Sequence, residues 1–309
     1  MSARVGVDIG GTFTDLVLRL ADGTLRVSKV SSTPEDPGLA VVRGLDALLR
    51  AAGVPPATVV EVVHGTTVAS NTILQKKGAR VGLLTTRGFR DVLEIGRVRT
   101  PDLFDLTWEK PEPLVERRHR LEVDERIAAD GAIVRPLDRE GLLAAAERLV
   151  ADGADVVAIS FINSYVNPVH ERVAESLLTA RFPTLDVTAS YRVLPEIKEY
   201  ERTSTTVVNA YLLPVMRRYL ANLAAGLRGI GVEAPLLVVA SNGGVVGAAA
   251  AAERPVFAVG SGPAAGVATV AKRRTRSRKA SHAVDRGHAW MMSLTSPSPT
   301  SSCACSSCR

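Results

Sequence analysis

The sequence predicts an α/β fold built on a mixed sheet. Apolar strands alternate with amphipathic helices along most of the chain, which is the order of an α/β domain. The first thirty residues read as a three-strand meander, which a purely parallel sheet would not contain. At 309 residues, 46% hydrophobic and 23% charged, the chain has the length and composition for two domains with real cores.

The meander runs from Val5 to Ile9, Phe13 to Leu20 and Leu25 to Val30, with Asp22-Gly23 as a tight turn. After Pro34 and Pro37, Leu39, Val42, Leu45 and Leu49 share one helical face, and Gly53 falls just past its end. Val59 to Val63 is a buried strand leading into His64-Gly65-Thr66-Thr67. A helix from Val68 to Lys77 follows, closed by Gly78, and Val81 to Thr85 is again a strand. Residues 97–117 mix Pro, Arg and acids without a period and are expected to form a surface loop. A hairpin pairs Arg120 to Ile127 with Ile133 to Val134 around Asp130-Gly131. Asp138 caps a helix through Leu149, Val156 to Phe161 is a core strand, and Asn167-Pro168 starts a helix that Pro183 stops. A long helix reaches Gly229 from the Glu196 region, and Pro214 is expected to kink it. The strand Leu236 to Ala240, the turn Ser241-Asn242-Gly243-Gly244, an Ala-rich helix and Ser261-Gly262-Pro263-Ala264-Ala265-Gly266 complete the patterned region.

Charge is distributed unevenly. The formal net charge is +6, but from Lys272 onward eight Lys or Arg face Asp285 alone, leaving 30 basic and 31 acidic residues in 1–271. A nearly neutral body argues against nucleic acid as a partner. Beyond Lys272, Arg, Ser, Thr, Pro and Cys dominate and no apolar period persists, as in a solvated tail or a coding sequence read out of register. Cys303, Cys305 and Cys308 lie there, without the paired turns of a zinc scaffold, and the body has no cysteine for disulfides or thiol catalysis. No stretch has the apolar length of a membrane span and no secretory signal is visible, so a cytoplasmic chain without membrane contact is expected.

The chemistry is densest at Asp8-Ile9-Gly10-Gly11-Thr12-Phe13-Thr14-Asp15. Two strands joined by Gly-Gly-Thr, with an acid on each side, make a phosphate clamp. Gly10 and Gly11 can take backbone angles closed to other residues and leave room for a phosphate against the N–H groups, while Thr12 and Thr14 add hydroxyl donors. Asp8 and Asp15 would face the accompanying magnesium ion. A Gly-Gly pair between strands is equally an ordinary hairpin turn, although a plain hairpin needs neither the acids nor the hydroxyls.

Together with His64 to Thr67, Arg87-Gly88-Phe89-Arg90-Asp91, Glu199 to Thr206 and Ser241 to Gly244, that segment resembles the hydantoinase A and 5-oxoprolinase family, in order from Val5 to about Val270. The resemblance implies a ribonuclease-H-like lobe of the actin, sugar-kinase and heat-shock-chaperone ATPase type, with ATP held between two lobes. It also implies ring opening of 5-oxoproline or a hydantoin at the expense of ATP. A subunit of an acetone or acetophenone carboxylase, or a non-enzymatic product, remains an alternative. Transfer of the terminal phosphate to the amide oxygen would turn a poor electrophile into one with a good leaving group. Catalysis of that transfer is positioning and charge neutralisation.

Carried onto this sequence, the resemblance makes Asp8 the magnesium organiser, Gly10, Gly11 and Thr12 phosphate holders, and Asp15 a group that orients water or metal. His64 is a proton carrier or, equally, a core histidine. Thr66, Thr67, Glu199 and Arg202 are substrate candidates, the last two equally an ion pair one helical turn apart. Ser241, Asn242, Gly243 and Gly244 stand where a strand gives way to a helix, or form a simple capped turn. A hydantoinase B-type subunit is the implied partner. The family pattern places a second Asp-x-Gly-Gly-Thr clamp where the basic tail stands here. The expected organisation is therefore an amino-terminal domain over 1–182, an incomplete second lobe over 183–271 and a tail over 272–309, with little hydrolase activity from this chain alone.

Overall fold

Val5, Val7 and Ile9 are buried while Arg4 is exposed and Asp8 half-buried, the two-residue period of a strand with one covered face. The computed structural model describes residues 2–33, 35–97, 104–105 and 107–261. It places this strand, β1 (Ala3–Ile9), in an antiparallel meander with β2 (Phe13–Arg19) and β3 (Leu25–Ser31). Helix α1 (Pro37–Ala51) begins at Asp36, whose carboxylate accepts from Gly38 N–H at 3.1 Å. The covered face of α1 includes the expected Leu45 and Leu49 but not Leu39. Gly44 faces the sheet so closely that a Cβ there would come within 2.7 Å of Leu16. Leu39, five residues earlier and about 140° round the helix, is thereby turned outward and is exposed.

β4 (Val59–Thr66) then runs parallel to β1 and extends through Gly65 and Thr66, and α2 (Val68–Leu74) follows at once. The chain next leaves this sheet for another. β5 (Val81–Thr86), the short helix α3 (Val92–Ile95), β6 (Arg120–Val123), the hairpin β7 (Arg126–Ile127) with β8 (Ile133–Arg135), α4 (Arg139–Ala151), β9 (Val156–Ser160), α5 (Val169–Arg181), β10 (Asp186–Ala189) and the single turn α6 (Ser190–Val193) build it. Arg120–Val123 is thus not an arm of the hairpin, as the sequence suggested. It pairs parallel with β5, and only β7 pairs with β8. The second sheet has the order β10-β9-β5-β6, all parallel. β5 and β9 are buried along their whole length, because a parallel sheet is covered on both faces. Leu84, Val157, Ile159, Leu142, Leu149 and Leu178 form its core.

Helix α7 (Glu199–Gly229) spans both sheets: Arg202 reaches the end of β9, Tyr219 lies on β4, and Gly226 packs on Val42 of α1. It continues through Pro214, and the Tyr211 carbonyl one turn earlier accepts from Ala79 N–H at 3.0 Å. β11 (Leu236–Val239), β12 (Val245–Gly247) and α8 (Ala248–Glu253) bring the chain back, giving the first sheet the order β12-β11-β4-β1-β2-β3. This is the mixed order of a ribonuclease-H-like lobe, begun by residues 3–66 and completed by 236–247, with the parallel sheet inserted between. No helix of the described residues is long and apolar enough to cross a membrane. The basic tail and its cysteines, and most of the expected loop up to residue 106, lie outside the described residues.

Candidate functional site

Because β1, β4 and β11 are parallel, their carboxyl ends share one edge of the first sheet. The register aligns Asp8 with Gly65, Ile9 with Thr66 and Asp8 with Asp15. The Gly10–Thr12 turn, Thr66-Thr67 and the Ser241–Gly244 turn are therefore gathered at that edge, the position where α/β sheets bind ligands. Side chains tie it together. Thr67 Oγ1 donates to the Ile9 carbonyl at 3.1 Å, Ser261 Oγ to the Thr66 carbonyl at 3.1 Å, and Gly260 N–H to Ser70 Oγ at 3.0 Å.

Asp8 and Asp15 project from the same face, as directly paired residues must. Asp15 lies 3.3 Å from Lys29 Nζ. Asp8 has no such partner, and its Oδ1 is buried without a hydrogen bond. Burial, with a smaller contribution from the Asp15 charge, pushes the Asp8 pKa up from the usual carboxylate range. An orphaned anionic oxygen is what a cation or its water would satisfy. In the turn, Gly10 N–H donates to the Phe13 carbonyl at 2.9 Å, and a Cβ on Gly10 would come to 3.1 Å from that oxygen. A Cβ on Gly11 would meet nothing within 4 Å, so the turn leaves open space at its tip. Neither glycine has a positive φ, contrary to expectation. Their contribution is the missing side chain, not an unusual backbone angle. Thr12 is exposed beside them.

The described residues contain no group of three or more His, Cys, Asp or Glu able to hold a metal by themselves. Magnesium fits such a site nonetheless, since it is commonly bound by one or two carboxylates together with substrate phosphates. Asp8 and the side-chain-free turn supply that chemistry.

The other expected residues divide. Thr14 is buried on the opposite face from Asp8, its Oγ1 3.0 Å from Ser32 Oγ, and it adds no donor at the turn. His64 also faces away, because it pairs with Val7 and not with Asp8. Its Nε2 lies 2.6 Å from the Tyr219 hydroxyl inside the core. Burial pushes the imidazole pKa down to about 4 and the Tyr219 hydroxyl up. His64 is a neutral core histidine here rather than a proton carrier beside the aspartates. Thr66 is buried and accepts from Val68 N–H at 3.1 Å, a local cap, leaving Thr67 as the half-buried hydroxyl nearest the turn.

Arg202 is fully buried, donates to the Phe161 carbonyl at 2.9 Å and the Glu196 carbonyl at 3.1 Å, and pairs with Glu199. It belongs to the other sheet, 17 residues of helix or about 25 Å from Tyr219. The Ser241–Gly244 segment leads into β12, not into a helix. Its turn is closed by Ala240 N–H to the Gly244 carbonyl at 2.8 Å, with Gly243 at φ 79° and Asn242 Oδ1 accepting from Gly244 N–H. Tyr219 and Ser70 were not foreseen, since no local pattern marks a contact 155 or 190 residues distant.

Residues 4–182 match the family described as hydantoinase/oxoprolinase N-terminal region, and residues 202–287 match the family described as hydantoinase/oxoprolinase. The second match runs past Lys272, where the composition changes. An uncharacterized protein of Methanocaldococcus jannaschii is 43% identical over 275 residues, covering 88% of this chain and 40% of the relative. The caprolactamase alpha subunit of Pseudomonas jessenii is 40% identical over 267 residues, covering 84% of this chain and 38% of its own. The crystal structure of that ATP-dependent caprolactamase superposes with a TM-score of 0.78 over 84% of this chain and 39% of its own. The nucleotide-free structure of an ATP-dependent acetone carboxylase gives the same score at 28% identity, covering 85% of this chain and 39% of its own. The chain thus spans about two fifths of the length of these relatives. By fold, by motif order and by sequence, it belongs to the hydantoinase/oxoprolinase family.

Proposed function

We propose that this chain carries the phosphate-binding end of an ATP-dependent enzyme that opens a cyclic amide, of the 5-oxoproline or hydantoin class. The observation that carries the reading is the buried, unpartnered Oδ1 of Asp8 beside a turn without side chains. In this reading Gly11 and Thr12 present the turn to the terminal phosphates. Asp8 holds the cation, Asp15 orients a cation-bound water, and Thr67 steadies the end of β1 through the Ile9 carbonyl. Ser241–Gly244 forms the neighbouring wall at the same sheet edge. Bound magnesium would supply neutralisation of phosphoryl charge. A cytoplasmic setting and a hydantoinase B-type partner complete the proposal, the latter supported by a relative that is itself named as an alpha subunit.

The test is calorimetric titration of the chain with magnesium-ATP. Asp8→Ala is expected to weaken binding at least tenfold, and undiminished affinity would sink the reading. The acetone carboxylase likeness supports a second reading, a subunit of a ketone carboxylase. ATP consumption that depends on bicarbonate and a ketone would favour it over ring opening. The same preparations test the expectation of little turnover from this chain alone.

A further inference from the structure

Among the described residues the first sheet ends on β3, an edge that plays no part in the nucleotide reading. β3 is 7 residues long, whereas the other edges of the two larger sheets, β12, β10 and β6, have 3, 4 and 4. Long edges are usually blunted by proline, by a bulge or by charge, because their free N–H and C=O groups are a template for another strand. β3 contains no proline, and its register with β2 is unbroken from Leu25 to Ser31. It leaves Val27 68% and Leu25 56% exposed. Lys29 is drawn back over β2, 3.3 Å from Asp15 and 5.0 Å from the centre of the Phe13 ring.

The hydrogen bonds fix which backbone groups are free. Leu20 N–H donates to the Thr24 carbonyl at 2.9 Å at one end of the β2–β3 ladder, and Ser32 N–H to the Thr12 carbonyl at 2.9 Å at the other. Both pairs continue the register of the strands between them. Antiparallel ladders alternate bonded and non-bonded pairs, so Arg26, Ser28 and Val30 bond to β2. Leu25, Val27, Lys29 and Ser31 turn their N–H and C=O groups outward, where the described residues place no further strand.

We infer that β3 is the pairing edge of a dimer, joined antiparallel to β3 of a second copy about a two-fold axis at Ser28. Such an axis requires the edge to complement itself. Centred on Ser28, Leu25 stands opposite Ser31 and Val27 opposite Lys29, so every outward group of one copy meets an outward group of the other. Arg26 stands opposite Val30 and Ser28 opposite Ser28, so no two like charges are apposed. Centring on Val27 would set Ser31 against Gly23 in the turn, and centring on Lys29 would set two ammonium groups face to face. A shift by one residue would set outward groups against groups already bonded to β2. Val27 already lies beside Val17 of β2, and the pairing adds the aliphatic stem of Lys29 on its other side.

Light scattering of the full chain over a range of concentration is expected to rise to twice the chain mass. Amide hydrogen exchange, read residue by residue, should show Arg26, Ser28 and Val30 protected throughout, and Leu25, Val27, Lys29 and Ser31 becoming protected together as the dimer forms. Val27→Pro removes an outward N–H and spares the β2 ladder, and it is expected to weaken association at least about tenfold. A monomer at every concentration, or a dimer that Val27→Pro leaves intact, would overturn the inference. So would outward amides already protected in the monomer, since another segment of this chain would then cover the edge. Should Val27→Pro fail to fold, exchange in the unmodified chain decides: an alternation that disappears as concentration rises supports the pairing, and one that persists overturns it.

Discussion

The carboxyl ends of the two sheets occupy equivalent positions in their topologies and are built oppositely. At the first, Gly10 and Gly11 carry no side chain, Thr12 is exposed, and Asp8 keeps a buried oxygen without a partner. At the second, Glu171 is fully buried yet accepts from Phe161 N–H at 2.8 Å, Tyr191 N–H at 2.8 Å and Ser190 Oγ at 2.7 Å. Glu125 is likewise satisfied from two sides. Polar groups at the second end therefore hold the sheet, with Arg202 Nε left without a partner. At the first, the unpartnered Asp8 oxygen is unfavourable in the free protein.

The sharpest contrast is expected between the two acids. Glu171→Ala removes the acceptor of three donors, of which Ser190 Oγ alone keeps another partner, Ser164 Oγ at 3.0 Å, and should cost about 3 kcal/mol or more, read as a lower denaturation midpoint at unchanged slope. A cost within about 0.5 kcal/mol would break the comparison.

The inner face of the first sheet comes next, because His64 is buried neutral there. Its pKa of about 4 lies below the usual value of 6.5, so the unfolded chain binds the extra proton first. Stability should be full above pH 6.5 and fall by about 3 kcal/mol as pH drops through that window to 4. His64→Phe should flatten this loss, measured as melting temperature against pH.

Asp8 should show the reverse sign. Its raised pKa means that the carboxylate is disfavoured once ionised, so stability is lost as pH rises through the folded value and kept below the unfolded one. Asp8→Asn should stabilise the magnesium-free chain by less than about 1 kcal/mol, the acid being partly solvated, and should remove that pH dependence. Smallest of all is Gly11→Ala. Open space at its Cβ and the absence of a positive φ predict a stability change within about 0.5 kcal/mol, with a measurable fall in magnesium-ATP affinity.

Much of this was legible in the residues. The alternation of Val5, Val7 and Ile9, the Asp138 cap and the apolar runs of β5 and β9 are local signals, and the elements form where they stand. The glycine turn between the paired Asp8 and Asp15 was legible for the same reason, since all its parts lie within eight residues. Which way a helix turns is not local: Leu39 was expected inward until Gly44 proved to be the point of contact. Nor was the fate of His64 or Arg202 readable, because each is decided by partners on other elements, Tyr219 for one and Phe161 for the other.

The sequence by itself determined most of the strands, the Asp138 cap, the family and the glycine turn with its two acids, because each rests on residues close together in the chain or on motifs kept in order. Only the tertiary structure decided that the first sheet is interrupted by a second and completed by residues 236–247. It alone showed that His64 faces the core while Asp8 faces out, and that Thr86, Glu125 and His170 meet. Strand register and parallel pairing set those outcomes, and both depend on contacts between segments that no local pattern links.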